Sequence, residues 1–314
     1  MDLQGIRPQA ALVAARAEAL HFQSPISFLQ AVPIEVQQQY GTGAAGAFGE
    51  QPGEEVLSMP DELGQWLLQH LHWDSDYFGT PTYRLFTGLF AEVASREALA
   101  GAAQALRQHL AHRGPYYAFC VVPAEDVAML QALTGGGWQL IETRLNFYCP
   151  IAEATLPVPA SVRPALPAEA SLIGHISATA RNPYDRFHAD PWFGPARADA
   201  FLARYAEAAT SGTYADTVLI PDEPGLPIDS FLAIGDTPAS LAHGGFSRVL
   251  LTAVGPQNRG WHQKLVAETV RRANALGFAH VLMTTQATNR AVFRTCEKLG
   301  FRLGSTSHVL ACHG

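Results

Sequence analysis

Apolar residues recur along this chain in two patterns, one typical of amphipathic helices and the other of buried strands. The helical pattern is clear over residues 95–114, where Ser95 is a candidate N-cap and Gly114 a candidate stop signal. Short apolar runs between turn residues predict strands, as in TYRLFTGLF (82–90) and YYAFCVV (116–122). Further helices are predicted over 10–20, 61–71, 123–137, 171–180, 196–210, 261–277 and 288–300, and further strands over 138–148, 216–221, 229–235, 248–254, 280–286 and 302–311. This alternation predicts a mixed α/β fold.

Prolines indicate where the chain divides. Five of them lie between Pro150 and Pro167, a density that disfavours helices and central strands. We therefore predict an unassigned N-terminal extension (1–59), an N-terminal α/β domain (60–150), a proline-rich linker (151–167) and a C-terminal domain (168–314).

The two predicted domains contain similar segments. When residues 126–143 are laid over residues 289–306, glycine meets glycine (Gly137 and Gly300) and aromatic meets aromatic (Trp138 and Phe301). Either the segments share an origin, or any helix–glycine–strand corner aligns this well. If they share an origin, the N-terminal domain is a degenerate copy of part of the C-terminal domain.

Composition excludes several classes of protein. The chain has 314 residues with 48% hydrophobic residues and a formal net charge of −7, and it has no basic cluster of the kind that nucleic acids or anionic membranes require. No apolar run is long enough to span a membrane. Asp2 and Glu18 disfavour a secretory signal, and the four cysteines show no disulfide or zinc spacing, so we expect reduced thiols and a cytoplasmic protein.

The loop GPQNRGWHQKL (255–265) is the strongest candidate for chemistry. It follows a predicted buried strand and begins a predicted amphipathic helix, whose first N–H groups have no partner within the helix. Such groups and the helix dipole attract anions, and glycine lets a phosphate approach the backbone. The dinucleotide and Walker glycine patterns are both absent.

The spacing Gln257-x-x-Gly260-x-His262 resembles the acyl-CoA loop [Q/R]-x-x-G-x-[G/A] of the GNAT N-acetyltransferases. LLTAVGP (250–256) resembles the central strand of that family, and TNRAVFRTCEKLGF (288–301) resembles its closing helix. The resemblance implies a C-terminal GNAT fold, acetyl-CoA as cofactor and acetyl transfer to an amine.

The same resemblance implies roles for particular residues. The Val254 N–H would stabilise the oxyanion that forms on the thioester carbonyl. The implied cofactor-binding residues are Gln257, Asn258, Arg259, Gly260, Trp261 and His262 for the pyrophosphate, Ala253, Val254 and Asn289 for pantetheine, and Phe293 beside it.

Two positions depart from the family pattern. His262 stands where Gly or Ala is usual, and it would either crowd the phosphates or bind one. Cys296 stands where a tyrosine usually protonates the CoA thiolate. Three interpretations of Cys296 stay open: a general acid, inert packing, or an acylated nucleophile.

A narrower resemblance concerns the acceptor. Residues 71–85, 184–220 and 284–289 resemble segments of the bacterial dTDP-fucosamine acetyltransferases, which implies a nucleotide-linked amino sugar as the small-molecule amine. The implied substrate-binding residues are Tyr184, Arg186, Phe187, Trp192 and Gln286, and the candidate bases are His188, Asp190 and His243. Each also has a structural interpretation, as surface charge, core, helix cap or hairpin.

Two alternatives remain at this level. One is a GNAT enzyme acting on a protein N-terminus or another amine, and the other is a catalytically impaired CoA-binding module. A homodimer is a candidate assembly.

Overall fold

The computed structural model describes residues 7–238 and 245–314, which form two compact units. Unit 1 contains the described residues up to Thr143 together with Ser305–Gly314, and unit 2 contains those from Arg144 to Gly304. The predicted mixed α/β fold is confirmed. In the described ranges, no helix is both long and apolar enough to cross a bilayer.

Twelve α-helices and eleven strands are described in these ranges. The helices are α1 (Ala10–Ala15), α2 (Ala17–His21), α3 (Ile34–Gln38), α4 (Ala44–Gly46), α5 (His72–Phe78), α6 (Arg96–His112), α7 (Val127–Gly135), α8 (Ala170–Thr179), α9 (Arg186–Ala189), α10 (Pro195–Thr210), α11 (Trp261–Ala275) and α12 (Arg290–Leu299). The strands are β1 (Glu54–Ser58), β2 (Gly64–His70), β3 (Thr82–Phe90), β4 (Tyr117–Pro123), β5 (Gln139–Pro150), β6 (Val162–Pro164), β7 (Thr217–Pro221), β8 (Ser230–Thr237), β9 (Phe246–Val254), β10 (His280–Gln286) and β11 (Arg302–His313).

Unit 1 is a sheet covered on both faces. Its strands lie in the order β1-β2-β3-β4-β11, antiparallel except for the parallel pair β3 and β4. Helices α6 and α7 cover one face through a core that includes Leu106 and Leu133. The N-terminal segment covers the other face, where Leu20 and Phe48 are buried.

The predicted helix over residues 61–71 is wrong, because this stretch forms β2. Successive side chains of a strand point to opposite faces. Trp66 and Leu68 join the core beneath α6 and α7, whereas Leu67 joins the core beneath the N-terminal segment. A strand buried on both faces is continuously apolar, and its sequence therefore resembles a short buried helix.

Unit 2 also consists of strands covered by helices on both faces. Its strands lie in the order β6-β7-β8-β9-β10-β5, and β9 and β10 are its parallel pair. Helices α11 and α12 bury Leu265 and Leu299 on one face. Helices α8 and α10 bury Ile173 and Ala206 on the other.

The predicted internal repeat is confirmed by the topology of the two units. In each, a strand is followed by a helix, a parallel strand, a second helix and a left-handed glycine, Gly137 (φ 84°) or Gly300 (φ 83°). In each, the antiparallel ladder before the parallel pair has a bulge, at Leu67/Leu68 and at Ala233/Ile234. Unit 1 is thus a degenerate copy of the fold of unit 2.

Candidate functional site

The two parallel strands of unit 2 separate after a short paired stretch. Phe246–Val249 of β9 pair with His280–Met283 of β10, and the bulge follows at once. Beyond it the strands continue to Val254 and Gln286, with no pairing between them among the described residues. The separation leaves a slot lined by main chain.

Both walls of this slot are held from outside. The end of β9 pairs with β8 as far as Ser230 opposite Val254. The end of β10 pairs with β5 as far as Arg144 opposite Gln286. Because each outer edge is already paired, the inner edges can offer N–H and C=O groups to an extended ligand in the manner of strand addition.

The loop after β9 is fastened by Asp229, the residue before β8. Gly255 N–H donates to the Asp229 main-chain oxygen (2.7 Å), and Gln257 N–H donates to Asp229 Oδ2 (2.8 Å). A Cβ on Gly255 would lie 2.1 Å from Asp229 Oδ1. Position 255 therefore accepts only glycine without rearrangement of the loop.

Asn258 anchors the loop from within. Its side chain is fully buried, and Nδ2 donates to the Pro227 oxygen (3.1 Å) and to Ser230 Oγ (3.0 Å). These bonds tie the loop to the chain that enters β8. Asn258 thus has a structural contact here, in addition to its predicted place in the phosphate loop.

The loop ends at Gly260, which begins α11 in the left-handed conformation (φ 89°). No side chain caps this helix, its first turn contains no acidic residue, and a Cβ on Gly260 would meet nothing within 4 Å. The first N–H groups of α11 therefore have no side-chain cap, and they form the positive end of the helix dipole. This arrangement fits a diphosphate, with Arg259 exposed beside it.

Solved structures share this architecture, although no family model matches the chain and no curated protein matches it in sequence. A GCN5-related N-acetyltransferase from Sphaerobacter thermophilus superposes with a TM-score of 0.56 at 12% identity, over 98% of this chain and 94% of that one. One from Kribbella flavida gives 0.50 at 13% identity, over 98% and 96%. The glucosamine N-acetyltransferase region of a fungal multi-domain β-N-acetylglucosaminidase gives 0.53 at 13% identity, over 80% of this chain and 31% of that protein.

This chain has the GNAT fold. In unit 2, the predicted positions 253–254, 257–262 and 289 lie at or directly after the ends of β9 and β10.

Asn289 and Phe293 lie on the β10 side of the GNAT slot. Asn289 follows β10 and caps α12, since its side chain accepts from Val292 N–H (3.3 Å). Phe293, half-buried on α12, packs against Phe147 with ring centroids 5.7 Å apart. Both residues lie in the first turn of α12 or directly before it.

His262 faces α12. Its Nδ1 lies 3.0 Å from Thr295 Oγ1, and its Nε2 is buried without a hydrogen-bond partner. Burial lowers the pKa of His262 to about 4, so the imidazole is neutral at physiological pH. It therefore adds no positive charge to the loop between β9 and α11.

Cys296 lies in the core between α11 and α12. It is 1% exposed and packs in the apolar cluster that contains Leu265 and Leu299. Burial raises the pKa of its thiol to about 12. A thiol in this setting is neither a nucleophile nor readily accessible to a reacting group.

The residues predicted on the substrate side lie around α9. Three of them pack locally: Arg186 lies over the Phe187 ring (4.4 Å), and Trp192 stacks beneath Arg197 (4.8 Å). Tyr184 is 54% exposed. Gln286 accepts from Asn182 (2.5 Å), which links the end of β10 to this region, and Asp190 is buried where its Oδ1 accepts from Trp192 N–H (3.0 Å). His243 lies outside the described residues.

His188 is held between two carboxylates. Its Nδ1 lies 2.8 Å from Asp185 Oδ2, and its Nε2 lies 3.0 Å from Asp199 Oδ1. Burial alone lowers the pKa of His188, but the hydrogen bonds and charges of Asp199 and Asp185 outweigh burial and raise it. The two carboxylates thus favour the protonated imidazole, and both of its ring nitrogens are already engaged.

This clamp predicts a pH-dependent contribution to stability. Because the folded pKa of His188 lies above the unfolded value of 6.5, its contribution is complete below that pH and is lost as the pH rises through the folded pKa. We expect the difference in unfolding free energy between wild type and His188→Asn to be largest near pH 6 and to shrink as the pH rises. Urea titrations across this range measure it, and a difference that grows with pH contradicts the clamp.

Sequence reasoning missed Asp229, Asp185 and Asp199. Asp229 binds a loop 26–28 residues further along the chain, and Asp199 meets a histidine on a different helix. Local periodicity contains no signal for such contacts.

Proposed function

We propose that unit 2 is an acetyl-CoA-dependent N-acetyltransferase whose acceptor is a small-molecule amine. One observation carries the proposal: β9 and β10 separate after four residue pairs, directly beside a helix whose N-terminus is uncapped. A slot lined by main chain with an anion cradle at its mouth suits a long ligand that has a diphosphate at one end.

Different residues of unit 2 bind the diphosphate, align the pantetheine arm and stabilise the oxyanion. The N–H groups from Gly260 onward hold the diphosphate, since those of Gln257 and Asn258 already donate within the loop. Ala253, Val254 and Asn289 align the pantetheine arm. Acetyl-CoA supplies the activated acetyl group, and the Val254 N–H stabilises the negative charge on the carbonyl oxygen as the amine attacks.

The attacking amine must lose a proton. Both ring nitrogens of His188 already lie at hydrogen-bond distance from Asp185 and Asp199, so we assign the acceptor role to Asp190, the buried carboxylate two residues further along. Its Oδ1 is held by Trp192 N–H, which fixes the carboxylate in place.

We further propose a nucleotide-linked amino sugar as the acceptor. Arg186 lies over the Phe187 ring, Trp192 N–H donates to Asp190, and the exposed Tyr184 lies two residues before Arg186 in the sequence; an arginine and aromatic rings suit a phosphorylated ligand with flat faces. One similar solved structure is a glucosamine N-acetyltransferase region, and glucosamine, like the proposed acceptor, is an amino sugar.

The test is release of free CoA thiol with a panel of amines. The panel contains dTDP- and UDP-linked amino sugars, glucosamine, a polyamine and an N-terminal peptide. We expect thiol release with at least one nucleotide-linked amino sugar. Release only with the peptide would move the acceptor to proteins, and no release despite binding would leave a non-catalytic module.

That module is the second candidate, and the burial of Cys296 favours it. The position that carries a general acid in the resembling family is here a core thiol. A chain that binds acetyl-CoA without transferring it would act as a sensor or scaffold.

Replacing Cys296 separates packing from acid catalysis. We propose packing, so Cys296→Ala should leave kcat within about threefold, while the cavity lowers the unfolding free energy by about 1–2 kcal/mol. A general acid would instead be worth about 100-fold or more in kcat. Thiol-release kinetics and urea unfolding of the same sample give both numbers, and a large loss of kcat at unchanged stability contradicts packing.

A further inference from the structure

Unit 1 has a slot built in the same way as that of unit 2. Its parallel strands pair over Thr82–Leu85 and Tyr117–Cys120, and the bulge on the β2–β3 ladder follows. Beyond that point β3 continues to Phe90 and β4 to Pro123, with no pairing between them among the described residues.

Arg16 fills this slot. Its Nε donates to the Gly88 oxygen on β3 (3.3 Å), and its Nη2 donates to Asp126 Oδ2 (2.5 Å), where α7 begins after β4. The guanidinium also lies 4.2 Å from the centre of the Phe90 ring. Arg16 is 8% exposed and Asp126 is 3% exposed, so one buried ion pair spans the two separating strands.

The residues that Arg16 contacts correspond to particular positions of unit 2. Registered on the bulge and the paired residues, Phe90 corresponds to Val254 and Asp126 corresponds to Asn289. Asp126 caps α7 just as Asn289 caps α12. Arg16 therefore contacts the unit 1 counterparts of the residues assigned to pantetheine in unit 2, a comparison that rests on the proposed function.

The helix N-terminus that is uncapped in unit 2 is capped in unit 1. Helix α6, the counterpart of α11, is capped by Ser95, whose side chain accepts from Ala98 N–H (3.1 Å). Glu97 adds a negative charge in its first turn. A diphosphate meets a filled cap and a like charge there, rather than open N–H groups.

The segment that carries Arg16 is docked along its length. Leu20, Ala45 and Phe48 are buried against Leu67 and Leu89 of the sheet. The Gln65 side chain accepts from Gln9 N–H (2.8 Å) and donates to the Arg7 oxygen (3.1 Å). Apolar burial of this kind indicates a permanent part of the unit.

We propose that residues 7–48 are a built-in ligand of the unit 1 slot, with Arg16 in the place of a cofactor arm. The slot of unit 1 is a guanidinium site filled by its own chain. Each chain accordingly binds a single acyl-CoA, in unit 2.

Chemical rescue of Arg16→Ala tests the guanidinium site. Removing Arg16 leaves the Asp126 carboxylate buried and unpaired, and we expect the unfolding temperature to fall by about 10 °C. Millimolar ethylguanidinium should restore part of that loss by binding the vacated site, whereas the same concentration of ethylammonium should not. Arg7→Ala is the matched control, because Arg7 lies in the same segment but pairs with Glu50 in solvent.

The outcomes decide the proposal. An Arg16→Ala variant that is as stable as Arg7→Ala, or one that ethylguanidinium does not restore, overturns it. If Arg16→Ala does not fold, calorimetry of acetyl-CoA binding to the wild type decides: one site per chain supports the proposal, and two sites refute it. Where Arg16→Ala folds, the rescue decides the role of Arg16 whether or not acetyl-CoA binds, and absence of any binding refutes only the proposed function of unit 2.

Discussion

Replacing Gly260 with aspartate should weaken acetyl-CoA binding at least about 100-fold, which is about 2.7 kcal/mol, while the protein stays folded. Aspartate is a good N-cap and tolerates the left-handed conformation better than most residues. Its carboxylate would take the N–H groups of α11 that the diphosphate needs and would repel the phosphates. The variant thereby reproduces the situation of α6, where Ser95 already caps the helix.

The matched control is Gly277→Asp. Gly277 has a similar left-handed conformation (φ 75°) with nothing within 4 Å of an added Cβ, and it follows the other end of α11. It therefore carries the same strain and the same change of charge away from the slot. Titration calorimetry on both variants should show binding lost only at position 260. Equal affinities for acetyl-CoA in the two variants would show that the loop at Gly260 does not bind the diphosphate.

Replacing Asn258 with aspartate should cost about 3–5 kcal/mol of unfolding free energy. The Asn258 amide donates to the Pro227 oxygen and to Ser230 Oγ from a fully buried position. A carboxylate cannot donate, so the substitution buries a charge that faces a carbonyl oxygen. The loop would separate from β8, and acetyl-CoA binding would fall with it.

Gln257→Glu is the control for this change. It converts an amide to an acid at the adjacent position, but the Gln257 side chain is exposed. Its effect on urea unfolding should stay within about 0.5 kcal/mol. If Asn258→Asp is no less stable than Gln257→Glu, the buried amide does not anchor the loop.

Local sequence patterns were enough for most of the secondary structure. The strands β3 and β10 were predicted with the bounds that the structure has, because turn residues flank a short apolar run in each. The helix predicted over 61–71 was wrong because a strand buried on both faces lacks the alternation of apolar and polar residues that distinguishes a strand from a helix.

The candidate site was partly visible in the sequence. Gly260 and the missing N-cap of α11 are local features, so the sequence alone predicted an anion site at the start of this helix. The ion pair of Arg16 with Asp126 joins residues 110 positions apart, and nothing in either neighbourhood predicts it. The sequence therefore located the slot in unit 2 but left residues 1–59 unassigned.

Hydrogen exchange with and without saturating acetyl-CoA tests whether unit 2 alone binds the cofactor. Amides that bind the cofactor exchange more slowly, so the result maps the site residue by residue. We expect new protection at residues 250–254 and 259–263 of unit 2, and none at residues 95–98 of unit 1. Protection at 95–98, or an unchanged pattern at 259–263, would contradict this expectation.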